Sequence, residues 1–251
     1  MPEQWRLVDS GLVPPPESVA LDEAMLEAHI QGLVPDSLHF YRRSTPTISV
    51  GYFQRIEESV DLEECRRRGI AIVRRKSGGS SIYTDQGQLI YGLVLHEQEV
   101  SKDRADTFKV ICSALAAALS SLGADARYRP MNDIEVSGKK VSGNAQLRRK
   151  GSVLVHGTVI VGTDLAAMDS VLKIKSSDSL GAAKPSDRVV SLSTLLGEKV
   201  SVESVKEMIV KHLENAFGVV IGPGQLTEWE RVRAAQLVEE RYSRDEWNLK
   251  F

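Results

Sequence analysis

The sequence has only two cysteines in 251 residues, too few for a disulfide framework and at no metal-ligand spacing. A reducing compartment is the default, so the expected location is cytoplasmic. No apolar run approaches the ~20 residues that span a bilayer. The start, Met1-Pro2-Glu3-Gln4-Trp5, lacks the basic n-region and apolar h-region of a secretory signal. A basic excess is missing as well. The 32 Lys and Arg against 34 Asp and Glu leave a formal charge of -2, which argues against a dedicated nucleic-acid binder. Neither a Walker A loop nor a Rossmann GxGxxG occurs, and no internal repeat or low-complexity tract is found. What is there is an ordinary globular composition, 42% hydrophobic and 26% charged, long enough for one sizeable core.

Periodicity predicts a strand near Trp5–Val8 and, after Pro14-Pro15-Pro16, a helix over Glu17–Gln31 ended by Gly32. Leu38–Arg42 and Thr47–Gly51 read as paired strands around Ser44-Thr45-Pro46. Asp61 opens a short helix that Gly69 stops. The longest helix runs from Asp103 to Leu122, with Phe108, Ile111, Cys112, Leu115, Leu119 and Leu122 as its apolar stripe. Strands over Leu89–Leu95, Asp133–Val136, Lys140–Leu147 and Ser152–Val161 precede a helix near Leu165–Leu172. Two further helices lie over Val202–Phe217 and Leu226–Glu240. Many strands with helices interspersed, and no regular βαβ alternation, predict an α+β fold.

Two glycine-bearing stretches carry chemistry. Ile70-Ala71-Ile72-Val73 reads as a buried strand and runs into Arg74-Arg75-Lys76-Ser77-Gly78-Gly79-Ser80-Ser81. Glycines let backbone N–H groups converge on a phosphate, and arginine supplies a forked donor set. A plain hairpin loop with solvated arginines is the competing reading. The second stretch, Ser137-Gly138-Lys139-Lys140-Val141-Ser142-Gly143-Asn144-Ala145-Gln146, sets a lysine between small residues. Such flanks let an anion approach the lysine, though a hairpin with Ser-Gly at its turn explains Gly138 equally. Asn132-Asp133 is either a turn pair or a polar site. His156, in Val153-Leu154-Val155-His156-Gly157, is either a satisfied core histidine or a pocket wall.

In this order, Arg-Arg-Lys-Ser-Gly-Gly with Asp85, Asn132-Asp133-Ile134, Gly-Lys-Lys-Val-Ser-Gly-Asn-Ala and His156-Gly157 resemble the lipoate–protein ligases. The resemblance runs from about Leu7 to Leu196. It resumes at Tyr242-Ser-Arg-Asp-Glu-Trp247-Asn248, which is similar to the close of the catalytic domain in the split, two-subunit form. It implies a mixed, largely antiparallel sheet flanked by helices, shared with biotin ligases and class II synthetases. It also implies one catalytic domain over 1–251, without the accessory C-terminal domain of single-chain ligases, and hence either a separate accessory subunit or a transferase that accepts only preformed lipoyl-AMP. The implied activity is activation of lipoate with ATP and Mg2+ to lipoyl-AMP, then transfer to a lysine of a lipoyl carrier domain. The carrier would be that of a 2-oxoacid dehydrogenase or the glycine cleavage H protein, with no nucleic acid or membrane involved.

The same resemblance assigns roles. Lys140 would bridge the carboxylate and phosphate oxygens and neutralise the developing charge; strand alternation puts Lys139 on the opposite face. Arg75, Gly78, Gly79 and Ser80 would hold phosphate and shape the pocket mouth. Asn132 would pair with adenine and Asp133 would ligate Mg2+. Ser142, Gly143, Asn144 and Ala145 would line the adenylate site, and His156 with Gly157 the acyl tunnel. Lys173–Arg188 would be a lid over the adenylate. Two positions depart from the family pattern: Ser80 stands where many relatives have a third glycine, and Thr84 where they have a histidine.

A cysteine-dependent octanoyl- or lipoyltransferase of the same fold is the main rival. Such enzymes carry a nucleophilic cysteine just ahead of the lysine motif, and Tyr128-Arg129-Pro130-Met131-Asn132-Asp133 contains none. Cys112 reads as a small core hydrophobe. Cys65 adjoins Arg66, a neighbour expected to lower its pKa. A biotin ligase has a different arginine-glycine repeat, and a non-catalytic carrier-binding protein would not need Lys140 and Asp133.

Overall fold

The computed structural model describes residues 3–173, 183–197 and 200–251. In chain order the elements begin with β1 (Gln4–Val13), α1 (Pro15–Ile30), β2 (Ser37–Arg43), β3 (Thr47–Val50), α2 (Ile56–Ser59), α3 (Leu62–Arg68), β4 (Ala71–Arg74), β5 (Ile82–Thr84) and β6 (Gln88–His96). There follow α4 (Arg104–Ser121), β7 (Ala126–Arg129), β8 (Asp133–Val136), β9 (Lys139–Arg149), β10 (Ser152–Ile160), α5 (Leu165–Val171) and α6 (Leu192–Leu196). Last come α7 (Val202–Phe217), β11 (Val220–Pro223), α8 (Glu228–Leu237) and α9 (Asp245–Asn248).

An eight-stranded sheet orders these as β11-β1-β2-β6-β10-β9-β8-β7, and a smaller sheet as β4-β3-β5. In the large sheet only β11–β1 and β1–β2 are parallel, so the fold is α+β with a mixed, largely antiparallel sheet. The central strand β6 shows why. Leu89, Tyr91, Leu93 and Leu95 join the core under α4 and α7, where Ile111, Leu115, Ile209 and Leu213 meet them. Ile90 and Val94 face the other way, toward α1. A strand apolar on both faces can only be central, and each buried leucine contributes roughly 1.5–3 kcal/mol.

The caps follow the sequence. Asp61 accepts from Glu64 N and Gly69 ends α3 at φ +66°, while Asp103 caps α4. Three expectations need correction. The segments read as a hairpin, β2 and β3, lie in different sheets: β2 pairs with β1 and β6, and β3 with β4 and β5. The Ser44-Thr45-Pro46 turn therefore carries the chain from one sheet to the other. Strands β7 and β11, four residues each at the two edges of the large sheet, are too short for alternation to reveal. The last long helix stops at Leu237 and continues as a π turn over Val238–Tyr242.

Candidate active site

Two cross-strand rows on the α1 face of the large sheet build the site. His39, Gly92, His156 and Ala145 are direct partners across β2, β6, β10 and β9. Next to them run Tyr41, Ile90, Thr158, Gly143 and Asp133. Directly opposed residues project to the same side. The small members Ala145 and Gly143 thus leave a trough between His156 and Asp133, while Gly92 lies beneath the Asp22 carboxylate, whose Oδ1 would be 3.3 Å from a Cβ there.

Lys140 lies along the floor of that trough. Its Nζ is 2.7 Å from Asp133 Oδ1, and the two side chains remain 34% and 25% exposed. A β-bulge brings them together: β8 pairs Ile134 with Ser142 but Glu135 with Lys140, leaving Val141 as the extra residue. The bulge returns Lys140 to the face of Gly143. A Cβ on Gly143 would sit 2.3 Å from Lys140 Cε and Nζ, so the lysine reaches its position only over a glycine. Lys139 is exposed. On the edge of β9 that β10 leaves free, Val190 N donates to Lys140 O at 2.9 Å. That contact ends the stretch read as a lid. Of this stretch, 174–182 lie outside the described residues. Beyond them, Ser186 donates through N and Oγ to Asp169 at 2.8 and 2.6 Å.

The glycine loop closes over His156. Gly79 adopts φ +95°, open to glycine, whereas Ser80 needs no such conformation, so the departure from a third glycine is tolerated. Gly51 is a close-approach position that sequence reasoning missed: a Cβ there would lie 1.9 Å from Gly79 O. Arg75 is buried and turned inward. Nη1 donates to Ser49 O at 2.8 Å, Nη2 to Gly78 O and Ser80 O at 2.7 and 2.9 Å, and Nε to Ser77 Oγ at 3.2 Å. These contacts turn the guanidinium inward, onto the loop and the Ser49 carbonyl of β3. Burial, with Arg43 and Arg74 nearby, lowers the Arg75 pKa to about 10. Arg43 donates to Thr84 Oγ1 at 2.9 Å, which gives the threonine a bracing role. Among the described residues, none of these three buried arginines has a carboxylate at ion-pair distance.

A buried polar chain, largely unforeseen, holds the imidazole. Asp22 Oδ2 lies 2.8 Å from His156 Nδ1 and accepts from Tyr41 at 3.1 Å; His156 Nε2 is 2.6 Å from Ser77 Oγ. Burial alone would raise the Asp22 carboxyl, but hydrogen bonds and charge from His156 and His39 hold it well below the usual carboxylate range. Ser77 is 2% exposed and already accepts from Arg75, so Ser77-His156-Asp22 braces a wall and is no nucleophile triad. The sequence did carry a signal: Asp22 and Glu23 interrupt the apolar run Val19-Ala20-Leu21 and Ala24-Met25-Leu26 of α1.

Ser142, Asn144 and Gly157 fall on the opposite face. Asn144 Nδ2 is 3.3 Å from Cys112 Sγ and 2.9 Å from Asn132 O, and Asn144 Oδ1 accepts from Tyr91. A Cβ on Gly157 would collide with Asn144 Oδ1 at 2.1 Å. Asn132 Nδ2 donates to Asn144 O, so its amide ties the turn to β9. These residues support the trough from behind. Asp133, with one oxygen on Lys140, suits Mg2+ as a single carboxylate ligand beside phosphate oxygens. Both cysteines are buried. Burial pushes Cys65 up to about 11, with Asp61 and Glu64 adding to it, so Arg66 does not lower its pKa. Burial also pushes Cys112 up to about 12.

Residues 14–214 match the lipoyl protein ligase A/B catalytic domain family. The chain belongs to that family. Similar proteins include the octanoyltransferase LipM of Geobacillus kaustophilus, 31% identical and aligned over 99% of each chain. LipM of Kyrpidia tusciae is 33% identical, again over 99% of each. Among solved structures, a bi-partite lipoate protein ligase from Thermoplasma acidophilum has a TM-score of 0.87 at 29% identity, covering 98% of this chain and 96% of that one. A lipoate–protein ligase A bound with ATP has a TM-score of 0.84 at 30% identity, covering 99% of each. Transferases and ligases both resemble this lipoyl ligase-family chain, so membership is broader than the ATP-dependent ligase expected from the motifs. No helix among the described residues is long and apolar enough to cross a membrane.

Proposed function

We propose that the chain transfers an octanoyl or lipoyl group from an activated donor to a lysine of a lipoyl carrier domain. The observation that carries this reading is Lys140, an accessible ammonium lying in a trough of small residues and oriented by Asp133. The amine of the carrier lysine attacks the acyl carbonyl, whose oxygen becomes anionic, and Lys140 donates to that oxygen as the charge develops. The C–N bond forms and the leaving group departs with the electron pair of its bond to the acyl carbon. The amine's surplus proton passes to solvent. His156, held by Asp22 and Ser77, walls the acyl chain, which each buried methylene stabilises by roughly 0.8 kcal/mol.

Full-length similarity to the LipM octanoyltransferases supports transfer as the core activity. Own adenylation of lipoate, with Mg-ATP, is a second reading. It is favoured by the Lys140 ammonium standing beside Asp133, and by likeness to the ATP-bound ligase. A bound Mg2+, held by Asp133, would neutralise phosphate charge. A thioester route through a cysteine of this chain is disfavoured, because both thiols are buried and kept protonated. A carrier domain would be incubated with the chain and one of three donors: octanoyl thioester, synthetic lipoyl-AMP, or lipoate with Mg-ATP. The third arm would be run with and without a candidate accessory subunit. Modification in any arm supports transfer, the third alone requires adenylation, and no modification in any arm overturns the proposal.

A further inference from the structure

The sheet bears a second imidazole–carboxylate cluster, about 10 Å along α1 from Asp22 and about 13 Å along β6 from Gly92. His29 comes from the end of α1, Asp36 from the turn before β2, and His96 from the last position of β6. His29 Nε2 is 2.7 Å from Asp36 Oδ1, and the His96 backbone N donates to the same oxygen at 3.0 Å. The His29 and His96 rings lie 4.2 Å apart. One ligand atom from each residue falls within 4.8 Å of the others.

Two further observations point into this cluster. Asp36 is 2% exposed, and its Oδ2 is buried without any hydrogen-bond partner. A desolvated carboxylate oxygen left unmatched is costly unless something fills its lone pairs. Ser152 Oγ lies 2.8 Å from His29 Nδ1, the outer contact that turns Nε2 toward a ligand. Two imidazoles and one carboxylate are the donor set of a zinc-class ion, where bonds of about 2.0–2.2 Å keep ligand atoms mutually close. His96, the exposed member, also lines a cleft with Glu97, Gln98, Val100, Lys102 and Gly151.

We propose that His29, Asp36 and His96 form a binding site for a zinc-class divalent cation. The ion replaces the proton shared by His29 Nε2 and Asp36 Oδ1, and Asp36 Oδ2 gains a positive neighbour. Because the three residues sit on different elements, the ion fastens the end of α1 to β2 and β6. The cluster is separate from Lys140, so its role is structural.

Chelator-treated protein would be loaded with Zn2+ and passed through gel filtration, with Co2+ as an optical probe. The expected result is one Zn2+ retained per chain, a raised melting temperature and the visible absorption of a low-coordinate Co2+ site. His96→Ala, at an exposed position that the fold tolerates, should weaken retention at least ten-fold and remove the melting shift. His212→Ala, which deletes an unrelated surface imidazole, should change neither. Asp36→Asn checks the buried oxygen by the same readouts. The proposal is overturned if the wild type retains no more Zn2+ than His96→Ala, whether both bind none or both bind equally.

Discussion

Arg75 and Lys140 are both cations in glycine-bearing motifs, and nothing in their local sequence separates them. The structure separates them completely. Arg75 is buried, with its guanidinium donating to Ser49 O, Gly78 O, Ser80 O and Ser77 Oγ. Lys140 has one carboxylate contact and stays a third exposed. Five donors in a fixed fork suit arginine to ordering a loop from within, while a compact ammonium on a flexible stem suits lysine to following charge on a reacting group. Substitutions at the two positions should therefore fail in different ways.

The largest effect on rate is expected from Lys140→Ala. Removing one preorganised donor costs about 10²–10³ in turnover, while the unfolding midpoint should stay near wild type because no core packing is lost. Carrier modification and urea denaturation, measured on the same preparation, test both halves. Lys139→Ala, on the exposed face, should alter neither. Near wild-type turnover in Lys140→Ala would end the assignment.

Arg75→Ala should show the opposite profile. Its carbonyl partners would be left unpaired in a buried loop, for a stability loss of about 3 kcal/mol. Activity falls with it because the loop that meets His156 loses its order. Arg75→Lys should recover little, since an ammonium cannot span Ser49 O and Gly78 O together. A folded, stable Arg75→Ala protein that lost only nucleotide affinity would reverse the comparison and restore a direct phosphate role.

Gly143→Ala probes the boundary between the two kinds of residue. The added Cβ would meet the mobile end of Lys140, not backbone, so the fold should survive. Displacing the ammonium by about 1 Å should cost roughly 10–100-fold in rate with stability nearly unchanged. Equal loss in binding and turnover would mean that the trough itself had been blocked.

The motifs show in the sequence where the strand, the loop and the lysine lie, because small residues beside a charge leave a readable trace. What they could not reveal was direction. Strand alternation alone would send Lys140 away from Gly143; only the bulge at Val141 reunites them, and a bulge depends on β8 across the ladder. In the same way Ser142 and Asn144 read as site-lining residues, yet they face Cys112 and Tyr91 on the back of the sheet. Gly51 and Asp22 act through partners 28 and 134 residues away, Gly79 and His156, so no local window contains their meaning. The hairpin read over β2 and β3 failed because a short turn next to Pro46 looks alike whether it joins one sheet or two.

The smallest effect should come from the thiols, although Cys112 lies directly behind the trough, at 3.3 Å from Asn144 Nδ2. A Cys65→Ser, Cys112→Ala double variant should keep its transfer activity and lose roughly 1 kcal/mol of stability from the small vacated volume. In the native protein neither thiol should react with a maleimide at neutral pH, because burial favours the neutral form. The pH dependence has a definite sign. Burial raises Cys112 from 9.0 to about 12, so the unfolded chain ionises first. Its contribution is intact below pH 9 and is lost as pH climbs from about 9 toward 12. Alkaline unfolding of Cys112→Ala should accordingly be shallower than that of wild type across that window. A native Cys112 that alkylates rapidly at neutral pH, with loss of transfer, would move it from the supporting face to the reacting one and bring back the thiol-transferase reading.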